Sequence, residues 1–257
     1  MFDLTDRTVL VTGAGRGVGL GIARVLIDAG AHVYVNDLEP DRAMTAAADL
    51  GERALALPFD VTDLEAVTTS LAAVAPVDVL VNNAAAAIYQ PMADYPLKRR
   101  HLTFEANVHA PLDLAQAVLP SMIEAGEGWI LNLSSGTARP WNGPPFEVGS
   151  LGTTIAIYGA SKAALDRLTN GLGAELYGRG VRVNAVQPRA AVLSEGAAKL
   201  AGTKLRPEQV ESIEQMVEGS VVLACCDEDV TGRSTVSLDN LIEFNLAVRG
   251  LDARPLR

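Results

Sequence analysis

Cysteine is almost missing from this chain: Cys225 and Cys226 are the only two, and they are adjacent. Neighbouring cysteines rarely bridge to each other, because a disulfide needs a backbone spacing and side-chain direction that consecutive residues do not offer. A disulfide-stapled scaffold is excluded, and the pair reads as reduced, half-buried small hydrophobes of a cytoplasmic protein. Histidine is scarce too. His32, His101 and His109 stand at no metal-ligand spacing, so no metal site is expected. Aromatic residues are only 5% of the chain, which leaves the core to aliphatic side chains. Basic charge is in deficit. A net charge of -10 argues against nucleic acid or an anionic membrane as partner. No apolar run long enough to cross a bilayer is free of charges and breakers. Residues 1–6 have neither a basic stretch nor an apolar core, so no secretory signal is predicted.

What remains is a globular, aliphatic-rich chain of 257 residues, 49% apolar and 20% charged. That length fits one α/β domain over residues 1–257 with a sizeable core. Apolar runs at 9–11, 33–35, 54–59, 77–81, 129–133, 181–186 and 235–238 alternate with helical patterns near 17–29, 41–50, 63–74, 98–125, 157–177 and 207–225. Short, continuous apolar strands between helices predict a seven-stranded parallel sheet with helices on both faces. Ligands of such a doubly wound sheet bind beyond the carboxyl ends of its strands. Two segments, near 137–154 and 189–207, break the pattern and read as substrate loops at that end.

The first strand runs into Gly13, Gly15, Gly17 and Gly19, with Arg16 and Val18 between them, and then into a helix. Strand, glycine turn and helix N-terminus together make an anion site, where backbone N–H groups and the helix dipole face a phosphate. Local dipoles govern such a site, so the acidic net charge does not forbid an anionic cofactor. Val18, Leu20 and Ile22 stand where a Gly-x-Gly-x-x-Gly pattern would need its third glycine. No Gly-Lys-Ser/Thr ending follows, which excludes a nucleotide-hydrolysing P-loop.

Tyr158 and Lys162 are four apart in a helical pattern, which places them on one face with β-carbons about 5–6 Å apart. A phenol, with a reference pKa of about 10, is a poor acid or base at neutral pH. A neighbouring ammonium favours the phenolate and brings it into the working range.

Thr12-Gly13-x-x-x-Gly17-x-Gly19, Asp60-Val61, Asn82-Asn83-Ala84, Asn107, Ser134-Ser135, Tyr158-x-x-x-Lys162, Arg182-x-Asn184 and Pro188 follow one another in order. In this the chain resembles the classical short-chain dehydrogenases/reductases from Thr12 to about Asp239. The resemblance implies a Rossmann-type fold and hydride exchange between a nicotinamide and a secondary alcohol or ketone. It assigns Asn107, Ser135, Tyr158 and Lys162 to catalysis, with Ser134 a strand-end hydroxyl. Tyr158 is the acid/base, Lys162 tunes it and holds the nicotinamide ribose, and Ser135 binds the substrate oxygen. Asn107 shapes a helix kink and places a water that links Lys162 to solvent. Asp60 and Val61 flank the adenine, Asn82, Asn83, Ala84 and Ala85 line the cofactor, and Pro188 and Ala191 lie at the nicotinamide. Asp37 with Leu38 closes the second strand. A carboxylate there accepts from the ribose hydroxyls and repels a 2′-phosphate, which favours NAD. Arg16 pulls toward NADP but is outweighed, since no second basic residue directly follows Asp37. The resemblance also implies a homotetramer built on helices 98–125 and 157–177, whose surplus apolar positions include Leu112, Ala115, Val118 and Leu119, and Ala160, Ala164, Leu168 and Leu172.

Several positions depart from the family pattern. Ala85 replaces a glycine, and the gap between Ser135 and Tyr158 is long. Arg189 follows Pro188 where glycine is usual, and the threonine expected after it is missing. Asp239-Asn240 replaces a glycine pair, so the C-terminal turn should differ. Arg189 reads as an intramolecularly paired or solvent-facing residue, with Glu195 or Glu147 as partner; the sharper reading pairs it with an acidic substrate. The loop residues Trp141, Phe146, Val148, Leu151, Ile155 and Ile157 point to a moderately apolar substrate, steroid-like or acyl. The alternatives are an NADP-dependent 3-oxoacyl thioester reductase and a non-catalytic cofactor-binding sensor or scaffold.

Overall fold

The computed structural model describes residues 3–146, 152–189, 191–192 and 210–250. Seven strands, β1 (Thr8–Val11), β2 (His32–Val35), β3 (Ala54–Ala56), β4 (Val79–Asn82), β5 (Gly128–Leu133), β6 (Val181–Gln187) and β9 (Ser234–Val236), form one sheet. Their order is β3-β2-β1-β4-β5-β6-β9, and every pairing is parallel. The helices are α1 (Gly17–Asp28), α2 (Pro40–Leu50), α3 (Leu64–Ala72), α4 (Leu97–Phe104), α5 (Ala110–Ala125), α6 (Ala156–Leu176), α7 (Ile213–Val221) and α8 (Ser237–Glu243).

Strand periodicity divides the core. Val9, Val11, Val79, Val81, Leu131 and Leu133 join the side chains of α1 and α7 on one face. Leu10, Leu80 and Ile130, the residues between, join Val67 of α3, Leu114 of α5 and Leu176 of α6 on the other. Every residue of β4 and β5 is buried. That is why these strands read as mostly apolar runs, with Asn82 and Asn132 as buried exceptions, and the fold is the doubly wound parallel architecture that the alternation predicts. The order reverses between β1 and β4, the crevice where such sheets bind ligands.

Four element boundaries differ from the sequence reading. The predicted helix over 98–125 is interrupted by a π-helical turn, Glu105–His109, between α4 and α5. Asn107 sits in that turn and gives both ends of its amide to Ala86, accepting from N–H at 2.8 Å and donating to C=O at 3.2 Å. The third strand stops at Ala56 because the Leu57 and Phe59 carbonyls accept from the Asn36 side chain, at 3.1 and 3.0 Å. The helix expected over 207–225 begins only at Ile213, where Ser212 and Gln215 form a capping box. Just before it, β8 (Val210–Glu211) pairs with β7 (Ala191–Val192) in a separate two-stranded sheet. Ser237, expected in the last strand, instead opens α8. Of the two segments expected from sequence to be substrate loops, residues 147–151, 190 and 193–209 lie outside the described residues. Among the described residues no helix is long and apolar enough to cross a membrane.

A buried polar chain fixes α6 against the sheet. The Asn82 amide donates to Asn132 Oδ1 at 2.8 Å, the Asn132 amide donates to Thr169 Oγ1 at 2.9 Å, and Thr169 donates to the Leu165 carbonyl at 2.8 Å. These links hold the helix that carries Tyr158 and Lys162 in register with the strand ends.

Candidate active site

The glycine turn after β1 packs so closely that side chains are excluded. Gly13 adopts φ +61°, in the left-handed region. A Cβ on Gly19 would stand 2.5 Å from Asn83 Nδ2, and one on Gly15 would stand 2.5 Å from Asp37 Oδ2. The Asn83 amide donates to the Thr12 and Gly13 carbonyls at 2.8 and 3.0 Å. Thr12 Oγ1 in turn accepts from the Asn83 and Ala84 N–H groups, each at 3.0 Å. The end of β4 therefore clamps the turn to the N-terminus of α1.

A cleft of about 500 Å³ opens over this turn. It is lined by Gly13, Arg16, Gly17, Val18, Gly19, Asp37, Leu38, Asp60, Val61, Asn83, Ala84 and Ala85, all candidates from the sequence. Asn82 is a correction: it is buried in the polar chain to Asn132 and does not line the cleft, because the strand's last inward position turns it into the core. Asn36, Arg42, Phe59 and Leu102 line the cleft without having been singled out. Arg42 matters most. It lies on α2, five positions past Asp37, and its Nη1 pairs with Asp37 Oδ1 at 2.9 Å. Asp37 Oδ1 also accepts from the Glu39 N–H at 3.1 Å. Asp37 is thus buried with one oxygen doubly engaged, while Oδ2 faces Gly15. A sequence signal existed in the helical pattern over 41–50, which brings position 42 back over the strand end.

Ser135, Tyr158, Lys162, Pro188 and Ala191 lie outside the lining of this cleft. Ser135 Oγ accepts from the Thr137 N–H at 3.2 Å and from the Thr137 hydroxyl at 3.0 Å. Ser134 pairs through its N–H with the Val186 carbonyl at 2.8 Å and is buried. Tyr158 is 8% exposed. Burial pushes its phenol above the ordinary value, Tyr89 adds to this, and a hydrogen bond with Ser135 acts in the opposite direction. Lys162 is 3% exposed, and its ammonium donates to the Leu133 carbonyl at 2.7 Å. Burial lowers its pKa to about 8, with Asp166, one helical turn on, opposing that shift. Asn107 is fully buried and donates to Ser161 Oγ at 3.0 Å, which donates to the Tyr158 carbonyl at 2.7 Å.

Arg189 pairs with Asp239, and its N–H donates to Glu211 Oε2 at 2.9 Å. Glu147 and Glu195, the partners suggested from sequence, lie outside the described residues. Two departures from the family pattern are therefore partners of one another. Asn240 replaces its glycine with an amide that donates to the Gly219 carbonyl at 2.7 Å.

The glycine turn, Asp37 and the Ser135, Tyr158 and Lys162 set all sit at the carboxyl end of a parallel sheet, and the comparisons agree with this geometry. The short chain dehydrogenase family profile matches residues 7–205. The ketoacyl reductase HetN of Nostoc sp. is 37% identical over 199 residues, which are 73% of this chain and 64% of that protein. The L-xylulose reductase of Mesocricetus auratus is 31% identical over 246 residues, 92% of this chain and 96% of that protein. A gluconate 5-dehydrogenase of Burkholderia cenocepacia, solved with NADP and tartrate, superposes with a TM-score of 0.80 at 28% identity, over 91% of this chain and 94% of that one. The chain belongs to the short-chain dehydrogenase/reductase family, oxidoreductases that act on alcohol and ketone groups.

Proposed function

We propose that the protein is an NAD(H)-dependent oxidoreductase that transfers hydride between the nicotinamide and a secondary alcohol or ketone. The observation that carries this reading is the gathering of Ser135, Tyr158 and the buried Lys162, whose ammonium donates to the Leu133 carbonyl, at the strand ends that also carry the glycine cradle. The cradle fits a dinucleotide, since glycines at 13, 15 and 19 let the turn close against Asn83, Ala84 and Asp37 while Gly17, Val18 and Gly19 at the N-terminus of α1 line the open cleft. When bound, the nicotinamide supplies or accepts the hydride. Ser135 accepts two hydrogen bonds from Thr137, so its single hydrogen, which acts on the Tyr158 oxygen in the free protein, is the one a bound substrate oxygen would take up. Tyr158 gives or takes the proton at its hydroxyl. Lys162 does not bring the phenol down in this structure, where burial dominates and holds Tyr158 above its ordinary value. Its buried ammonium, one turn along α6, is a charge that would favour the phenolate during proton transfer. Asn107 fixes Ala86 and, through Ser161, the first turn of α6.

Asp37 supports NAD. Its Oδ2 is left to accept from a ribose hydroxyl, and its charge repels a 2′-phosphate. Asp37→Ala is expected to weaken NADH binding and to relax discrimination against NADPH, both read by fluorescence titration. A second reading, NADP, is favoured by Arg42, whose guanidinium already stands at the ribose rim with Arg16 in the same lining. Arg42→Ala separates the two: it lowers NADPH affinity selectively if NADP is the cofactor and leaves it no worse if NAD is.

For the substrate, the relatives named above act on a ketoacyl group, L-xylulose and gluconate. The exposed Trp141–Phe146 ring pair on the loop after β5 supports a moderately apolar substrate. Measuring turnover of NADH and NADPH against acyl, sugar and steroid ketones tests this.

A homotetramer built on α5 and α6 also follows from the family reading. Ala115 and Val118 are buried, with Leu119 and Leu172 packed beside them against the parent sheet, so these four are not surplus. Leu112, Ala160, Ala164 and Leu168 belong to neither cluster and carry the expectation. Light scattering should return four times the chain mass, or at least twice, at micromolar concentration. A monomer there contradicts the assembly.

A further inference from the structure

Tyr158 must touch a substrate oxygen to act, yet it is 8% exposed. Tyr89, on the segment between β4 and α4, stands against it. The two rings meet edge to face, with centroids 5.4 Å apart and planes at 63°. The backbone on both sides of Tyr89 is fixed. The Ile88 carbonyl accepts from the Tyr95 hydroxyl at 3.2 Å, and the Gln90 N–H donates to the Thr154 carbonyl at 2.9 Å. Three residues earlier, Asn107 holds Ala86 through both of its backbone groups. The same asparagine that anchors the start of α6 thus anchors the segment that carries Tyr89. Tyr89 has therefore a held backbone and a ring free to turn only about its own side-chain bonds.

We propose that Tyr89 is a positioning residue of the reaction, the wall that keeps water from the Tyr158 hydroxyl and sets the side from which an alcohol or ketone reaches it. The proposal rests on the reading of Tyr158 as acid/base. Low local polarity makes each hydrogen bond at the Tyr158 hydroxyl count for more, and a fixed ring at its flank limits how a substrate can approach. Burial holds the Tyr89 phenol above its ordinary value, so it remains a neutral O–H that can donate to a second polar group of the substrate. Among the described residues, the polar and titratable groups that act on Tyr158 are Tyr89 and Ser135 after β5; Lys162, one turn along α6, directs its ammonium to the Leu133 carbonyl. Lys162 in turn faces Asp166, which Arg139 also influences.

The test labels tyrosine with ¹³C at Cζ and follows the Tyr158 resonance, assigned by its loss in Tyr158→Phe, in wild type, Tyr89→Phe, Tyr89→Leu and Tyr89→Ala. At about pH 10, where an exposed phenol is half ionised, wild-type Tyr158 is expected to stay protonated. Tyr89→Ala should move the resonance clearly toward tyrosinate, and Tyr89→Phe should move it less. Tyr89→Leu, which keeps most of the apolar volume, guards against a misfolded alanine variant, and unchanged NADH binding certifies each protein. In alcohol oxidation the acid limb of kcat/KM should move to lower pH in Tyr89→Ala by the same displacement. Tyr158 signals that titrate alike in wild type, Tyr89→Ala and Tyr89→Leu overturn the proposal. The titration does not depend on turnover. Wild-type protein inactive on every alcohol and ketone would count against the proposed function, while the NMR result still decides the role of Tyr89.

Discussion

Tyr158→Phe is expected to lower turnover by about 10²–10⁴-fold, the usual contribution of general acid–base catalysis. The substitution removes one oxygen and keeps the ring that Tyr89 meets edge on. Packing, and with it cofactor affinity, should therefore be nearly unchanged. The loss should fall on kcat and on kcat/KM alike, because the missing proton transfer belongs to the transition state. Near-normal turnover in this variant would remove Tyr158 from the mechanism. The other residue able to take its place by position is Tyr89, and Tyr89→Phe in the Tyr158→Phe background would reveal it.

Lys162→Met is expected to cost turnover on a similar scale, about 10²-fold or more, and to weaken cofactor binding as well. Its effect on stability has the opposite character. The lysine is buried, with one hydrogen bond to a carbonyl, and burial brings its pKa from 10.5 to about 8. Between those two values the unfolded chain holds a proton that the folded chain has released, so wild-type stability rises with pH across that window. The methionine variant lacks this rise. Chemical denaturation at several pH values should show a wild-type curve that climbs and a variant curve that stays flatter. A buried charge that costs stability and is indispensable to turnover is placed for chemistry. Parallel stability curves would mean that Lys162 is ordinarily solvated, contrary to its burial.

The sheet was legible from sequence because its central strands are buried on both faces and so read as mostly apolar runs. The cradle and the Tyr158–Lys162 pair were legible because a turn and a helix fix the geometry of near neighbours. What escaped depends on side chains reaching across the fold. The third strand ends early because Asn36, twenty positions upstream of Ala56, takes the next carbonyls. Asn82 reads as a site residue beside Asn83, yet one turns into the core and the other onto the glycine turn, since successive strand residues face opposite ways. Arg42 was missed because its pairing with Asp37 needs α2 to return over the strand end. Tyr89 carries no motif at all. Arg189 and Asp239 each read as an isolated departure, and only the fold brings them together as a pair.

Transfer of a labelled hydride decides whether the protein moves hydride between a carbinol carbon and the nicotinamide. Secondary alcohols carrying deuterium on the carbinol carbon are incubated with NAD and the protein, and the recovered NADH is read by mass spectrometry and proton NMR. One deuterium per NADH is expected at C4 of the nicotinamide, on a single face, with Tyr158→Phe slowing the transfer in proportion to its loss of turnover. NADH that binds at the cleft while no alcohol or ketone in a broad panel passes label to or from the ring would contradict the proposed function.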